Sequence, residues 1–318
     1  MSAETDVLVL GGAGVDTIVY VPELPLAFAD SYMVPAIRQR AGQTGDFVAM
    51  GVSALGLRAH HLDVVGDDPE GDLVRALHRD KGIPLTEVFS PSGTKRAVNL
   101  VDPAGRRLSL YDSDRSQEAD RLPEETVRDL AARSRHAHVS ITYPCAFALP
   151  VLREAGVTIS TDLHNWDGVE SYHESFAYEA DLVFVSATAL PDPQRTMRQV
   201  LDRGRARAVV ATAGADGAHL LADDVLTHIP AVTPTAPVVD SNGAGDAFVS
   251  GFLFGWLAGE PALRCAQYGA VAGAFACTVP STRTDCISRD QLLEGAALTG
   301  GPRVGDSNRP DRRRSMTG

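Results

Sequence analysis

One stretch of the sequence limits the fold more than any other, because a short apolar run, a glycine turn and a long apolar segment follow one another directly. It covers residues 238–259, VVDSNGAGDAFVSGFLFGWLAG. From Ala247 onward the apolar residues are nearly continuous, and a helix that is apolar on every side is normally buried. The first turn of such a helix has N–H groups without intrahelical partners and carries the positive end of the helix dipole. The pattern predicts a strand, a turn and a buried helix whose start binds an anion, most often phosphate.

Two carboxylates flank this turn, Asp240 before it and Asp246 after it. Asp246 is suited to two roles. Asp is a good N-terminal cap of a helix, and a carboxylate beside an anion site is also placed to accept a proton from a hydroxyl group that attacks phosphorus. The turn by itself does not distinguish a cap from a base.

The turn is part of a longer motif. Its residues are Asp240, Gly243, Ala244, Gly245, Asp246, Ala247, Phe248 and Gly251. Together they resemble the C-terminal signature of the ribokinase-like (pfkB) sugar kinase family. The resemblance covers roughly residues 7–298 and implies an α/β, ribokinase-like fold, with a mostly parallel central sheet, helices on both faces and a small β-sheet lid. It also implies a carbohydrate kinase that uses ATP and Mg²⁺ to move the γ-phosphoryl group to a hydroxyl of a sugar or sugar derivative. In that mechanism Asp246 is the base, and the amides of Gly243, Ala244 and Gly245 form the anion hole.

Composition and charge argue against several other classes of protein. The formal net charge of −12 disfavours general binding to nucleic acid or to anionic membranes, which requires clustered Lys and Arg. The four cysteines show no C-x-x-C spacing and the nine histidines show no metal-ligand spacing, so we predict reduced thiols, no metal site in the chain and a cytoplasmic location. No basic segment precedes an apolar run at the N-terminus, and no apolar stretch is long enough to span a bilayer, so neither export nor membrane insertion is expected.

The first apolar run, residues 7–10, predicts a buried strand that ends in a glycine turn at residues 11–14. This turn is not a dinucleotide-binding fingerprint, because Thr17 stands where the third glycine would be. A G-x-x-x-x-G-K-S/T phosphate loop is absent from the sequence. Asp16 follows the turn, either as a solvent-facing turn residue or, as the resemblance implies, as the Asp that binds hydroxyl groups of the substrate.

Two segments, residues 17–40 and 95–112, have the pattern of lid strands rather than of core strands. Their short apolar runs are residues 17–21, 32–37, 97–101 and 107–111, and turn residues separate them. In the family such a lid covers the substrate and excludes water, and two lids often pair in a homodimer; the alternative is a surface hairpin without a gating role. We predict one kinase domain over residues 1–300 and a disordered tail over residues 301–318.

Residues 41–56, AGQTGDFVAMGVSALG, resemble the family's N-terminal signature, in which a glycine pair and an Asn precede a helix of small residues. Gly42 fits this signature. Ala41 replaces the first glycine, and Asp46 replaces the Asn that contacts the substrate, so the pattern of contacts to hydroxyl groups is expected to differ. The substrate-binding residues that the resemblance implies are Asp16, Gly42, Asp46 and Asp240.

Beyond residue 137, short apolar runs alternate with amphipathic segments, which is typical of a parallel sheet with helices on both faces. Such sheets bind ligands at the carboxyl ends of their strands. One run, residues 208–211, leads into a turn in which Thr212, Gly214 and Gly217 resemble the family's nucleotide-binding turn. With Asn242, these are the residues assigned to ATP.

Two features depart from the family pattern. Asp162 and Asn165 resemble a D-x-N element with one additional residue, so no role is transferred to them. Residues 186–189, SATA, stand where many members have an N-x-x-E element, whose Glu helps to organise magnesium. Either another acid takes that role, or the nucleotide and water alone hold magnesium, or the activity is weak.

Three hypotheses on function result, of which a carbohydrate kinase is the first. A nucleoside kinase is the second, because Asn242 resembles the adenosine kinase form of the signature and Phe28, Tyr32 and Phe47 offer aromatic surface for a base. The third is a sugar-binding or regulatory protein that keeps the fold without efficient transfer. The sequence at 186–189 favours this third hypothesis, whereas the intact glycine turn with its Asp disfavours it.

Overall fold

The structure, a computed structural model, describes residues 3–115 and 117–299. Within these residues the chain forms thirteen strands and ten α-helices. The strands are β1 (Thr5–Leu10), β2 (Val15–Tyr20), β3 (Arg38–Ala41), β4 (Ala59–Val65), β5 (Leu85–Phe89), β6 (Arg96–Val101), β7 (Arg107–Tyr111), β8 (Ser134–Ser140), β9 (Thr158–Asp162), β10 (Leu182–Ser186), β11 (Ala208–Thr212), β12 (Ala218–Ala222) and β13 (Val225–Ile229). The helices are α1 (Thr44–Ala54), α2 (Pro69–Lys81), α3 (Glu124–Ala131), α4 (Tyr143–Ala146), α5 (Ala148–Glu154), α6 (Glu174–Glu179), α7 (Pro193–Arg203), α8 (Ala244–Leu257), α9 (Ala262–Ala276) and α10 (Arg289–Thr299). The predicted tail, residues 301–318, lies outside the described residues.

Nine strands form the main sheet, in the order β13-β12-β11-β10-β9-β8-β1-β4-β5. The seven strands from β11 to β5 run parallel, and β12 and β13 extend one edge in antiparallel pairs. β1 lies inside the sheet, and its alternate side chains enter two cores, Leu8 and Leu10 on one face and Val7 and Val9 on the other. Both faces are covered, which is why the parallel strands are apolar throughout. The predicted fold class is confirmed.

Helix α8 is the apolar helix expected from the sequence, and it packs against α1 on one side and α9 on the other. Small residues allow the close approach. A Cβ at Gly251 would lie 2.6 Å from the carbonyl oxygen of Tyr268, and a Cβ at Gly269 would lie 2.7 Å from the ring of Phe248. These contacts hold the start of α8 at a fixed place beside the carboxyl ends of the parallel strands.

The lid is a second sheet of four strands, in the order β3-β2-β6-β7. The predicted runs at 97–101 and 107–111 correspond to β6 and β7. The predicted strand at 32–37 is wrong, because the strand forms at Arg38–Ala41, where pairing with β2 sets Ala41 opposite Val15. Residues 32–37 have no partner strand; Met33 is fully exposed, and Pro35 has no N–H to donate.

Among the described residues, no helix has both the length and the apolar character needed to cross a membrane. The four cysteines are unpaired, as the sequence predicts.

Candidate active site

A cleft of about 910 Å³ lies between the lid and the carboxyl ends of the parallel strands. Strands β8, β9, β10 and β11 each supply their last residue to it, namely Ser140, Asp162, Ser186 and Thr212. The lid adds Asn99, Arg107, Ser109 and Tyr111, and the start of α8 adds Gly243, Gly245 and Asp246. Open parallel sheets bind their ligands at this edge.

The turn before α8 contributes free N–H groups to the cleft. Gly243 caps the helix with a φ of +78°, a conformation that favours glycine. Within the described residues, the amides of Gly243, Gly245 and Asp246 donate to no protein group, whereas the amide of Ala244 lies 3.3 Å from the carbonyl oxygen of Ser241. Of the three amides predicted to form the anion hole, Gly243 and Gly245 are free, and Asp246 supplies a further free donor.

Asp246 is the third residue of α8, and its side chain is 8% exposed in the cleft. The cap position belongs to Gly243, so the alternative role of Asp246 as a helix cap is not supported. Its carboxylate accepts no hydrogen bond from the residues that the structure describes. Burial, followed by the charge of Asp162, raises the pKa of Asp246 to about 8, while Arg107 and Arg40 act in the opposite direction. A buried, unpaired carboxylate with such a pKa is suited to accept a proton near neutral pH.

Asp162, to which the sequence assigned no role, ends β9 near the same turn. One of its oxygens accepts the amide of His164 at 2.8 Å. The other would lie 3.5 Å from a Cβ placed on Gly245, so it approaches the glycine turn before α8 closely. The same oxygen lies 3.9 Å from Nδ1 of His164, a contact that is an ion pair only when the imidazole is protonated.

Asp16, which the resemblance assigns to the substrate, lines the cleft and is 5% exposed. Arg40 donates from Nη2 to Oδ2 at 2.9 Å, and Gln43 donates from Nε2 to Oδ1 at 3.1 Å. Burial raises the pKa of Asp16 in spite of these two donors. Gln43 also lines the cleft, and its Oε1 has no partner among the described residues. Together Asp16 and Gln43 offer acceptors for the hydroxyl groups of a polyol.

Three other residues assigned to the substrate are not among those that line the cleft. Gly42 is buried and adopts a φ of +124°, with its amide bonded to the carbonyl oxygen of Gly14 at 2.9 Å. Asp240 is 3% exposed and accepts from the amide and hydroxyl of Ser281 at 2.7 and 2.6 Å, which ties the segment before the turn to the loop after α9. Asp46 is fully buried, and its Oδ2 accepts the amides of Gly14 and Gln43. All three residues have hydrogen-bond partners within the protein, and their assignment to the substrate stays a prediction.

Of the residues assigned to the nucleotide, Thr212 and Asn242 line the cleft, and Gly214 and Gly217 do not. Thr212 lines the cleft at the end of β11. Gly214 adopts a φ of +57° with open space around it, whereas a Cβ at Gly217 would lie 2.1 Å from the carbonyl oxygen of Ile229. Gly217 is thus required for packing. Asn242 lines the cleft; its Nδ2 is buried without a partner among the described residues, and its Oδ1 accepts from Arg107.

Three basic residues among those that line the cleft were not predicted from the sequence, namely Lys95, Arg107 and Arg115. The sequence of β7 could have predicted Arg107, because polar and apolar residues alternate along it. Arg107, Ser109 and Tyr111 line the cleft, whereas Leu108 and Leu110 do not. These positive side chains suit an anionic ligand even though the whole chain is acidic.

The aromatic residues proposed to stack a nucleobase are mostly elsewhere. Phe28 is fully exposed, and neither it nor Tyr32 lines the cleft. Phe47 does line it, with the guanidinium of Arg40 4.6 Å from its ring centroid. The described part of the cleft therefore provides no aromatic pair from these residues for a base.

The geometry agrees with a comparison to known families. The model of the pfkB family carbohydrate kinases matches residues 4–289 of this sequence. The chain belongs to this family. The predicted carbohydrate kinase activity is thereby confirmed, and membership implies the use of ATP.

Several proteins are similar in sequence or structure to this pfkB kinase over most of its length. Acarbose 7(IV)-phosphotransferase of Actinoplanes sp. is 60% identical over 299 residues, which cover 93% of this chain and 100% of that protein. ATP-dependent ribose-1-phosphate kinase of Halopiger xanaduensis is 30% identical over 282 residues, 85% of this chain and 90% of that one. The solved structure of a microbiome-derived acarbose kinase, Mak1, has a TM-score of 0.85 at 45% identity and covers 93% of this chain and 100% of its own.

Proposed function

We propose that this pfkB kinase transfers the γ-phosphoryl group of ATP to a hydroxyl of acarbose or of a similar acceptor with several units. Two relatives support this acceptor, the phosphotransferase that is 60% identical and the acarbose kinase structure that is 45% identical. The position 7(IV) in the first relative's name lies on a unit numbered IV, which implies an acceptor of several units. The observation that carries the proposal is the buried, unpaired carboxylate of Asp246 beside free amides in a cleft of about 910 Å³.

The proposed reaction begins with the acceptor hydroxyl placed against Asp246. As the hydroxyl oxygen attacks the γ-phosphorus, its proton moves to the carboxylate of Asp246 and the bond from phosphorus to the β,γ-bridging oxygen breaks, which leaves ADP. The free amides of Gly243 and Gly245 donate to the developing negative charge. Donors of this kind contribute about 2.7–4 kcal/mol each in other enzymes.

The acceptor is held by other groups that line the cleft. Asp16 and Gln43 accept hydrogen bonds from its hydroxyl groups. Tyr143 and Tyr172 also line the cleft, and the hydroxyl of Tyr172 donates to the carbonyl oxygen of Ile141 at 3.0 Å. We assign these two rings to apolar faces of acceptor units beyond the one that is phosphorylated.

Charge on the phosphates is balanced from two directions. Arg107 reaches from the lid to Asn242 at the anion-binding turn, so the lid carries a guanidinium to the phosphoryl group. Magnesium, when bound, would neutralise phosphate oxygens, and Asp162 fits it because one carboxylate oxygen has no cationic partner closer than 3.9 Å. We propose that Asp162 replaces the carboxylate that residues 186–189 do not provide.

ADP release from ATP and magnesium tests the proposal, with acarbose, a maltose series of increasing length, ribose, fructose and adenosine as acceptors. We expect turnover on acarbose and weaker turnover on single sugars. Asp246→Asn serves as the inactive control. Turnover on adenosine alone would overturn the proposed acceptor class, and binding of acarbose without ADP release would support a sugar-binding protein in place of an enzyme.

We also propose a homodimer through the lid and a cytoplasmic location. The outer strand β7 leaves Leu108, Leu110 and Tyr111 between 41% and 57% exposed, and an apolar strand of this kind is suited to pair with a second copy. Light scattering of the wild type and of Leu110→Glu tests the dimer, and a wild-type mass equal to one chain contradicts it. The unpaired thiols and the use of ATP support the location.

A further inference from the structure

A buried polar cluster lies beneath the acceptor site and is formed by Asp46, His61 and His78. The three residues come from α1, β4 and α2 and are 0%, 0% and 3% exposed. Asp46 Oδ1 lies 2.8 Å from His78 Nε2 and 3.4 Å from His61 Nδ1, and the two histidine nitrogens are 3.2 Å apart. The sequence gives little sign of this cluster, because its members lie far apart along the chain.

The second oxygen of Asp46 binds the backbone of the acceptor site. Oδ2 accepts the amide of Gly14 at 3.1 Å and the amide of Gln43 at 3.0 Å. It therefore joins the turn after β1 to the start of α1. The two segments are packed so closely that a Cβ at Gly45 would lie 1.9 Å from the carbonyl oxygen of Gly11.

These two backbone amides lead directly to the groups that face the acceptor. Gly14 precedes Asp16 by two residues, and the side chain of Gln43 donates to Asp16 at 3.1 Å. A displacement of either segment would change the distance between Asp16 Oδ1 and Gln43 Nε2. The carboxylate of Asp46 thus connects the buried histidines to the acceptor-binding pair.

The histidines orient the carboxylate. His61 donates from Nε2 to the carbonyl oxygen of Gly11 at 2.9 Å, which fixes the ring so that Nδ1 faces Asp46. Although burial opposes it, the two histidines beside Asp46 hold the pKa of its carboxyl well below its usual range, with His78 donating from Nε2 to Oδ1 at 2.8 Å. Asp46 therefore remains an acceptor for both amides at neutral pH.

We propose that Asp46 is a positioning residue for the acceptor, which acts through the amides of Gly14 and Gln43 to set the side chains of Asp16 and Gln43. This inference rests on the proposed function in that Asp16 and Gln43 bind the acceptor. It assigns to the Asp a role different from the family's Asn, which contacts the substrate itself. Asp46 does not line the cleft and carries no step of the reaction.

Two substitutions at this position separate positioning from general stability. Asp46→Ala removes the acceptor for both amides. Asp46→Asn keeps one oxygen for the amides, and its NH₂ group can donate to His61 Nδ1 and, once His78 carries its proton on Nδ1, to His78 Nε2. We expect Asp46→Ala to raise the KM for acarbose by about 30-fold or more, with the KM for ATP changed less than about threefold, because two buried hydrogen bonds are lost on the acceptor side only. We expect Asp46→Asn to stay within about fivefold of the wild type.

A second pair of variants covers the case in which Asp46→Ala does not fold. His78→Leu removes the 2.8 Å donor to Oδ1, and His78→Gln retains a donor at a similar place. The acceptor KM should rise in the first variant and recover in the second. Equal increases in the KM values for both substrates, or a fall in kcat alone, would show a merely structural role and would overturn the inference.

Calorimetric titration of acarbose without nucleotide gives the same comparison independently of turnover. A wild type that binds acarbose but releases no ADP contradicts the proposed function, whereas Asp46→Ala with wild-type affinity contradicts the positioning role.

Because Asp46, His61 and His78 also lie close enough together to hold a metal ion, the purified protein is assayed for metal. We expect less than about 0.1 mole of zinc, manganese or iron per mole of protein. A stoichiometric metal whose removal weakens acceptor binding would overturn the hydrogen-bonding account.

Discussion

Asp246→Asn tests two consequences of one structural fact, the burial of a carboxylate without a hydrogen-bond partner. The first consequence is kinetic. With a pKa of about 8 in place of 3.8, only about one-tenth of the free enzyme carries an ionised Asp246 at pH 7. The kcat/KM of the wild type should therefore rise by almost tenfold per pH unit up to about pH 7.5 and level off above about pH 8.5. Asp246→Asn should be at least about a hundredfold slower and should lack this rise, because it has no base to ionise.

The second consequence concerns the free energy of unfolding. Because the pKa of Asp246 is higher in the folded than in the unfolded chain, the folded chain holds one more proton between about pH 4 and pH 8. This proton stabilises the folded wild type fully below the pKa of the unfolded chain. The stabilisation is lost as the pH rises from about 4 to about 8. Asparagine carries no such proton. The Tm of Asp246→Asn should therefore exceed that of the wild type by a margin that grows to a few degrees by about pH 8.

Thermal melts from pH 5 to 9, together with initial rates over the same range, measure both effects. Asp120→Asn is the matched control, because that buried carboxylate accepts from Ser90 Oγ at 2.6 Å and from the amide of Gln117 at 3.0 Å. It should lower the Tm and leave the pH profile of the rate unchanged. A Tm of Asp246→Asn below the wild type at pH 8, or a wild-type kcat/KM that is flat from pH 6 to pH 8, would refute the reasoning.

Three further substitutions address the rest of the cleft. Arg107→Ala should lower kcat by about 10-fold to 100-fold, and Arg107→Lys should lower it less because lysine retains the charge. If wild type and Arg107→Ala had equal single-turnover rates, a contact with the phosphoryl group would be contradicted. Asp162→Asn should raise the magnesium concentration for half-maximal activity by about tenfold, with little change in the acarbose KM; an unaltered magnesium titration would exclude Asp162 as the cation ligand. Tyr172→Ala should raise the KM for acarbose by about 10-fold but not the KM for a single sugar, and Tyr172→Phe should resemble the wild type because the ring remains; equal effects on both acceptors would exclude an outer subsite.

The sequence predicts the sheet, the buried helix and the anion-binding turn because each rests on a local pattern. The apolar residues 7–10 form an inner strand that is buried on both faces, and such a strand is apolar at every position. Gly243 and Asp246 are fixed by the helix that follows them, so their neighbourhood is encoded within a few residues. A resemblance in this segment transfers to the structure with its geometry intact.

The direction in which a buried side chain points is encoded less locally. Asp16 and Asp46 both follow glycine turns in the sequence, yet Asp16 faces the cleft and Asp46 faces inward. The difference depends on His61 and His78, which approach Asp46 only after β4 and α2 have packed. Gly217 is a similar case, since its close neighbour is the carbonyl oxygen of Ile229 on a later strand. Contacts between distant segments decide each of these roles, and one sequence does not show them.

The chain lacks the N-x-x-E element, but another carboxylate, that of Asp162, lies at the same edge of the sheet. Residues 186–189 provide no carboxylate, and Ser186 is bonded to Thr188 through their hydroxyls at 3.0 Å. The next parallel strand, β9, ends in Asp162, whose free oxygen lies close to Gly245 at the anion-binding turn. Strands β9 and β10 end at the same edge of the sheet, so a carboxylate moved from one to the other remains within reach of the same phosphates. We therefore infer that the departure relocates the acidic group and does not argue against phosphoryl transfer.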